Sequence, residues 1–163
     1  MQSNKKKIHN LTMETEDTLS VINIFDEVLY VNLSTNDAGW ELRGNSTAPT
    51  AVFLPSVDLN QETELFLQKM LAACKLEPTD YFFILIQKPE QLLSALGTHQ
   101  KSNNLVFGLE INSEVFNIRK EKDKPFRFNG NKWLLGESLT ELLHDQAKKS
   151  SLWTKGLKPL YKI

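Results

Sequence analysis

The sequence of 163 residues is poor in features that mark several common protein classes. A single cysteine, Cys74, excludes an internal disulfide and favours a reducing compartment. Glycine occurs only 7 times, and neither Gly-x-Gly-x-x-Gly nor the Walker pattern is present, which excludes nucleotide binding by those two routes. The longest apolar run, Tyr81 to Ile86, has the length of a strand, so no membrane-spanning helix is predicted.

Charge of one sign does not dominate the chain either. Lys and Arg total 19 against 20 Asp and Glu, which argues against a disordered acidic chain and against a uniformly basic nucleic-acid binder. The basic trio Lys5 to Lys7 has no apolar stretch behind it, so a secretory signal is not predicted and the cytoplasm is the expected location. From residue 146 onward every charged side chain is a lysine, which suits helix C-termini and leaves a weak surface for an anionic partner open.

Apolar segments of strand length alternate with helical patterns along most of the chain. The predicted strands are 51–54, 81–86, 104–109 and 132–135. This alternation predicts an α/β fold, a three-layer sandwich with a central, largely parallel sheet of about four strands. The length fits one domain, and residues 34–163 are predicted to form it, with 34–50 as a long connection. The charge-rich run 119–124 is expected to be a solvated turn between 115–118 and 126–128, which are predicted to form a hairpin or its edge.

Local signals also mark helix starts and a core residue. Asp58 or Asn60 is predicted to cap the helix that follows 51–54, and Ser138 the helix that follows 132–135. Trp153 is predicted to be buried in the core.

The N-terminal segment has a different character. Residues 1 to about 17 are polar and lack apolar periodicity, whereas the residues after Thr18 show helical spacing and then a β-rich stretch. Residues 1–33 are therefore predicted to form a flexible N-terminal arm with a short partner-binding helix. Packing of its apolar residues on the chain's own domain is an equally open interpretation. The predicted partner-binding anchors are Leu19, Ile22, Phe25, Leu29 and Tyr30.

Few residues point to chemistry. The three histidines, His9, His99 and His144, lie far apart in sequence with one lone cysteine, so neither a metal site nor a cofactor is predicted. His99 or His144 has the chemistry of a general base, but no catalytic partner is recognisable beside either one. Cys74 lies on the most apolar helix, which predicts a packed core thiol.

Three stretches of sequence carry a family resemblance. They are 22–30, a short helix followed by an extended piece ahead of the domain; 51–54 with 76–81, a strand and the approach to the next; and 133–143, followed by Leu152-Trp153. In this order they resemble the psi accessory subunits of the bacterial DNA polymerase III holoenzyme. That family consists of small non-catalytic proteins with a uracil-DNA-glycosylase-like fold.

The resemblance implies a bridging role in DNA replication. The N-terminal segment is expected to dock onto the clamp-loader ATPase subunits. The domain is expected to support a second subunit, with a chi-like subunit as one candidate, or a link to the single-stranded-DNA-binding protein. No cofactor, membrane, small-molecule substrate or sequence-specific nucleic acid is expected.

A working glycosylase would need a water-activating loop after the first strand and an imidazole after the last strand. The chain has Asp58 without the surrounding motif in the first place and Glu137 in the second. A carboxylate there would repel a departing uracil anion. A divergent glycosylase or hydrolase using Asp58, Glu137 or His99 remains the alternative, as does a nucleic-acid-binding domain of the same fold. A third possibility is a stand-alone domain that captures a small molecule or protein.

Overall fold

The computed structural model describes residues 39–111 and 121–163, together with the backbone of two earlier strands. The strands are β1 (Thr18–Ile24), β2 (Glu27–Leu33), β3 (Trp40–Gly44), β4 (Thr50–Pro55), β5 (Tyr81–Ile86), β6 (Asn103–Phe107), β7 (Phe126–Phe128) and β8 (Asn131–Gly136). The helices are α1 (Gln61–Ala73), α2 (Leu92–His99), α3 (Leu139–His144), α4 (Gln146–Ser151) and α5 (Lys158–Tyr161). Short 3₁₀ turns span Ser56–Asp58 and Pro89–Gln91, and a π-helical turn, Leu152–Leu157, joins α4 to α5.

Strands β3 to β8 form one mixed sheet of 6 strands in the order β3-β5-β4-β6-β8-β7. The four inner strands are parallel to one another, and the edge strands β3 and β7 run antiparallel to their neighbours. The α/β architecture is therefore confirmed, whereas a largely parallel sheet of about four strands is wrong. Both edge strands are short, and β3 is largely solvent-facing, so neither has the continuous apolar run that identifies an inner strand.

Helices cover both faces of this sheet because its inner strands are apolar on both sides. Val52 and Leu54 of β4 pack on the face that α1 and the C-terminal helices cover. Ala51 and Phe53, the alternate residues, pack on the face that α2 covers. The period of two along a strand thus divides the core into two layers of side chains around one sheet.

Strands β1 and β2 pair with each other in a separate antiparallel sheet. The short helix predicted from Leu19 and Ile22 is wrong, because both residues lie in β1. The β-branched residues Val21, Ile22 and Ile24 of this segment favour an extended backbone once a partner strand is present. Phe25 and residues 1–17 lie outside the described residues, so the predicted boundary at residue 33 and the flexibility of the arm stay predictions.

Several local predictions are confirmed and others are corrected. The Asn60 side chain caps α1 by accepting hydrogen bonds from the Glu62 and Thr63 backbone N–H groups. Cys74 is buried at the end of the same helix. Trp153 is only half-buried, whereas its neighbour Leu152 is a core residue. Among the helices described here, none has the length and apolar character needed to cross a membrane.

The hairpin predicted around 119–124 is replaced in the structure by a pairing of 126–128 with β8. Phe126–Phe128 is strand β7, and it pairs with β8 across a tight turn at residues 129 and 130. The other predicted arm, 115–118, lies outside the described residues.

Candidate functional site

The loops at the carboxyl ends of β4 and β8 meet at Asp58. Its Oδ2 accepts a hydrogen bond from the Leu139 backbone N–H at 2.6 Å, and its Oδ1 accepts one from the Thr140 N–H at 3.1 Å. The Thr140 hydroxyl donates a further hydrogen bond to Oδ1 at 2.5 Å. The carboxylate is 8% exposed and therefore serves as a buried acceptor for the first turn of α3.

This arrangement satisfies the start of α3 completely. The first N–H groups of a helix have no partner within the helix. In α3, Asp58 takes two of them, the Ser138 Oγ accepts the Glu141 N–H at 3.2 Å, and the Leu142 N–H bonds to the Ser138 carbonyl. The positive end of the helix dipole thus faces the chain's own carboxylate rather than a ligand.

The loop after β6 closes the same end of the sheet. Gly108 has φ +63°, and a Cβ placed on it would lie 3.0 Å from Ser138 Cα and 3.6 Å from Asp58 Oδ2. Its N–H donates to the Gly136 carbonyl at 3.2 Å. Glycine is required here both for the left-handed backbone and for the close approach of the two loops.

Glu137, predicted as a candidate catalytic group, makes an ion pair with Lys122 at 2.6 Å. Its side chain is 24% exposed and that of Lys122 is 48% exposed, so the pair lies near the surface. A second surface pair, between Glu141 and Lys148, lies close by in the sequence. Ion pairs in such positions contribute little stability.

His99 lies elsewhere in the molecule, in contact with Trp40. The Trp40 indole N–H donates a hydrogen bond to His99 Nε2 at 3.1 Å, and the two rings meet edge to face. Burial, and secondarily the charge of Lys101, lowers the pKa of His99. The imidazole is therefore a neutral acceptor that joins the end of α2 to β3, in a contact separate from those of Asp58 and Glu137.

Cys74 has the properties of a core residue. Burial raises the pKa of its thiol to about 11, so the reactive thiolate is disfavoured. His144 is exposed on α3. In the ranges 39–111 and 121–163, no three His, Cys, Asp or Glu side chains come together in a way that would hold a metal ion.

The predicted partner-binding residues lie in or beside the hairpin. The register pairs Ile22 with Leu29 and Val21 with Tyr30, which places Ile22 and Leu29 on one face of the ribbon and Tyr30 on the other. Leu19 shares the Tyr30 face, since it is two positions from Val21. Phe25 and the side chains of the other four lie outside the described residues, so their binding role stays a prediction.

Two residues that make structural contacts in this part of the molecule were not identified from the sequence. Thr140 holds Asp58 across 82 positions of sequence, a distance at which no local pattern signals contact. Asp123 was expected in a solvated turn and is instead 8% exposed, with its N–H donating to the Leu135 carbonyl at 2.7 Å. Burial raises the pKa of its carboxyl group.

The chain matched no known family model, and no match was found among curated proteins. Its function is therefore inferred from the residues and geometry described above, together with the sequence resemblance.

Proposed function

We propose that this chain is a non-catalytic accessory subunit of a bacterial replicative DNA polymerase, acting in the cytoplasm. It would bridge the clamp-loader complex to another replication protein by protein–protein contacts. The motif resemblance to psi subunits suggests the role. The observation that carries the proposal is the engagement of Asp58 by the Leu139 and Thr140 N–H groups and by the Thr140 hydroxyl.

A general base needs an acceptor atom within reach of the proton that it removes. Both Asp58 oxygens already accept hydrogen bonds from α3, and the carboxylate is almost fully buried. His99 is occupied by Trp40, and Glu137 is paired with Lys122. The three groups that a divergent glycosylase would use are thus committed to three separate structural contacts.

A uracil-DNA-glycosylase-like fold is part of the proposal. Four inner parallel strands with helices on both faces are compatible with it. A fold of this kind can persist after its original chemistry has been lost, because fold does not dictate function.

The hairpin β1–β2 is the proposed clamp-loader contact. It pairs only with itself among the described strands, and apolar residues occupy positions on both of its faces. A two-stranded ribbon is marginally stable in isolation, so contact with a larger surface stabilises it. One face can pack on the chain's own domain while the other binds the partner, which reconciles the two interpretations of Leu19, Ile22, Leu29 and Tyr30.

The test is binding of the purified full-length chain to a purified clamp-loader complex, followed by size-exclusion chromatography and titration. We expect a stable complex, and about a tenfold or greater loss of affinity in the double variant Leu29→Asp/Tyr30→Asp, which places a charge on each face. Val57→Asp is the control for an added surface charge, because Val57 is 91% exposed in the 3₁₀ turn Ser56–Asp58, outside the hairpin. Absence of a complex, or equal loss in the control, would contradict the proposal.

A second assay separates the enzymatic alternative. Uracil release from single- and double-stranded DNA is measured for the chain and for Asp58→Asn. We expect no release from either protein. Release that the substitution abolishes would overturn the non-catalytic assignment.

A further inference from the structure

An open groove lies between the sheet and the C-terminus, at the opposite end of the parallel strands from Asp58. Its volume is about 320 Å³, and it is bordered by β7, the first residues of β8 and the end of α5. Three of its lining residues are cationic, namely Arg127, Lys132 and Lys162. The rest of the lining is Pro125, Phe126, Pro159 and Leu160. The groove thus combines positive charge with apolar walls and has no acidic lining residue.

Two of these cations face each other across a strand pair. Arg127 of β7 pairs directly with Lys132 of β8 in the antiparallel register. Like charges at directly opposed positions destabilise a sheet. No ion pair links any of the three cations to another described residue. The chain therefore maintains a repulsive pair in its groove, and an anion bound there would relieve it.

The backbone beneath these cations is well fixed. The Lys132 N–H donates to the Ser102 carbonyl at 2.9 Å, and the buried Asn104 side chain donates to the Lys132 carbonyl at 3.3 Å. Asn129 and Gly130, with φ 49° and 77°, form the tight turn that joins β7 to β8. Because the strands are held in this register, the two charges need little reorganisation to meet a ligand.

We propose that this groove binds an acidic peptide segment that carries an apolar side chain. Asp or Glu residues of the segment would pair with Arg127, Lys132 and Lys162, while the apolar side chain packs against Pro125 and Pro159, the prolines of the lining. Arg suits such a partner because its guanidinium pairs with a carboxylate through two parallel hydrogen bonds.

Single-stranded nucleic acid fits this groove less well. Its binding depends on aromatic rings that stack on bases, together with a cationic track along the backbone. Among the lining residues the aromatic one, Phe126, is half-buried, and the remaining walls are proline and leucine. The proposal does not depend on the clamp-loader assignment, since the groove and the hairpin involve different residues.

The test uses a fluorescein-labelled peptide of Asp and Glu residues with one central Leu, and the full-length chain. Fluorescence anisotropy at low salt should show binding that weakens as salt is added. We expect Arg127→Glu to reduce the affinity about tenfold or more, and Lys132→Gln to reduce it by a smaller factor. Lys69→Glu is the matched control, because it changes the net charge by the same amount as Arg127→Glu at an exposed position on α1. A probe with Ser in place of Leu should bind more weakly.

Binding that follows this pattern supports the proposal. Lack of binding at low salt, or an equal loss in Lys69→Glu, would overturn it. The proposal also fails if the Ser probe binds as well as the Leu probe, or if an oligothymidylate binds more tightly with the same dependence on Arg127. Lys132→Gln guards against a folding artefact, since removal of the repulsion should leave the thermal melting temperature of the free chain unchanged or higher.

Discussion

At the carboxyl ends of β4, β6 and β8 the loops hydrogen-bond to one another, whereas at the amino end of β8 cations line an open groove. The first end contains Asp58, Gly108 and the start of α3, with the polar groups of α3 paired inside the chain. The second end contains Arg127 and Lys132, two like charges that no described side chain neutralises.

This difference is the opposite of the usual placement of ligand sites in an open α/β sheet. Such sheets normally bind ligands in the crevice beyond the carboxyl ends of the strands. Here the chain fills that place with its own carboxylate and helix. Binding capacity is then expected at surfaces that the sheet does not normally use, which is consistent with the proposed protein–protein role.

The largest expected effect is at the closed end. Asp58→Ala removes the acceptor of three hydrogen bonds and leaves the Leu139 and Thr140 donors without a partner. We expect the free energy of unfolding to fall by about 3 kcal/mol in a denaturant titration. The exposed Glu90 provides the control, and Glu90→Ala should change the value by less than about 0.5 kcal/mol. A similar result for both variants would mean that Asp58 does not hold the two loops together.

Substitution of one glycine at each end of the sheet tests this difference directly. Both have positive φ, but an added Cβ at Gly108 meets Ser138 at 3.0 Å, whereas at Gly130 it meets nothing within 4 Å. Gly108→Ala should therefore cost about 2 kcal/mol and Gly130→Ala about 1 kcal/mol, the latter from backbone strain alone. Equal losses, measured by thermal or denaturant unfolding, would show that the carboxyl-end loops are not closely packed.

A smaller effect concerns pH. Because the pKa of His99 is lowered in the folded chain, the unfolded chain takes up the proton first as the pH falls through the ordinary histidine range near 6.5. Stability from the Trp40–His99 contact is thus present above that range and is lost below it, by about 1 kcal/mol or less. Melting curves at about pH 7.5 and about pH 5.5 measure the loss. His99→Phe should show a weaker pH dependence, and an unchanged dependence would contradict this role.

The smallest effect has the opposite sign. Lys132→Gln removes the repulsion between Lys132 and Arg127, and the free chain should become more stable by about 0.3 kcal/mol. Thermal unfolding of this variant beside Lys69→Gln, an exposed control, provides the measurement. A clear destabilisation would show that Lys132 supports the free fold, and that the open end is not strained by its charges.

The sequence predicted the inner part of the sheet because burial on both faces produces continuous apolar runs. Strands β4 and β5 and the Asn60 and Ser138 caps are all determined by neighbouring residues. Edge strand β3 was interpreted as a connection, since its backbone is extended only because β5 pairs with it. The N-terminal segment was predicted as helix because spacings of three and four also occur by chance in a short β-branched stretch.

The candidate site was less accessible to prediction. Asp58 was identified as a carboxylate of interest and as a helix cap, but the helix that it caps begins 81 residues later. Whether such a group is a catalyst or a structural acceptor depends on which loop folds over it. The groove was not predicted for a related reason. Arg127 and Lys132 are recognised as directly opposed charges only when β7 and β8 are paired in register.

The burial of Leu152, Leu157 and Leu160 in the same core layer as Val52 has a consequence for biosynthesis. These leucines follow the strands that they cover in the chain, so they emerge from the ribosome after those strands. One apolar face of the sheet is therefore uncovered until residues 152–160 have been synthesised, and chains aggregate or bind chaperones while such a surface is exposed. Removal of residues 152–163 should accordingly lower the soluble yield of the protein in cells far more than removal of residues 1–17.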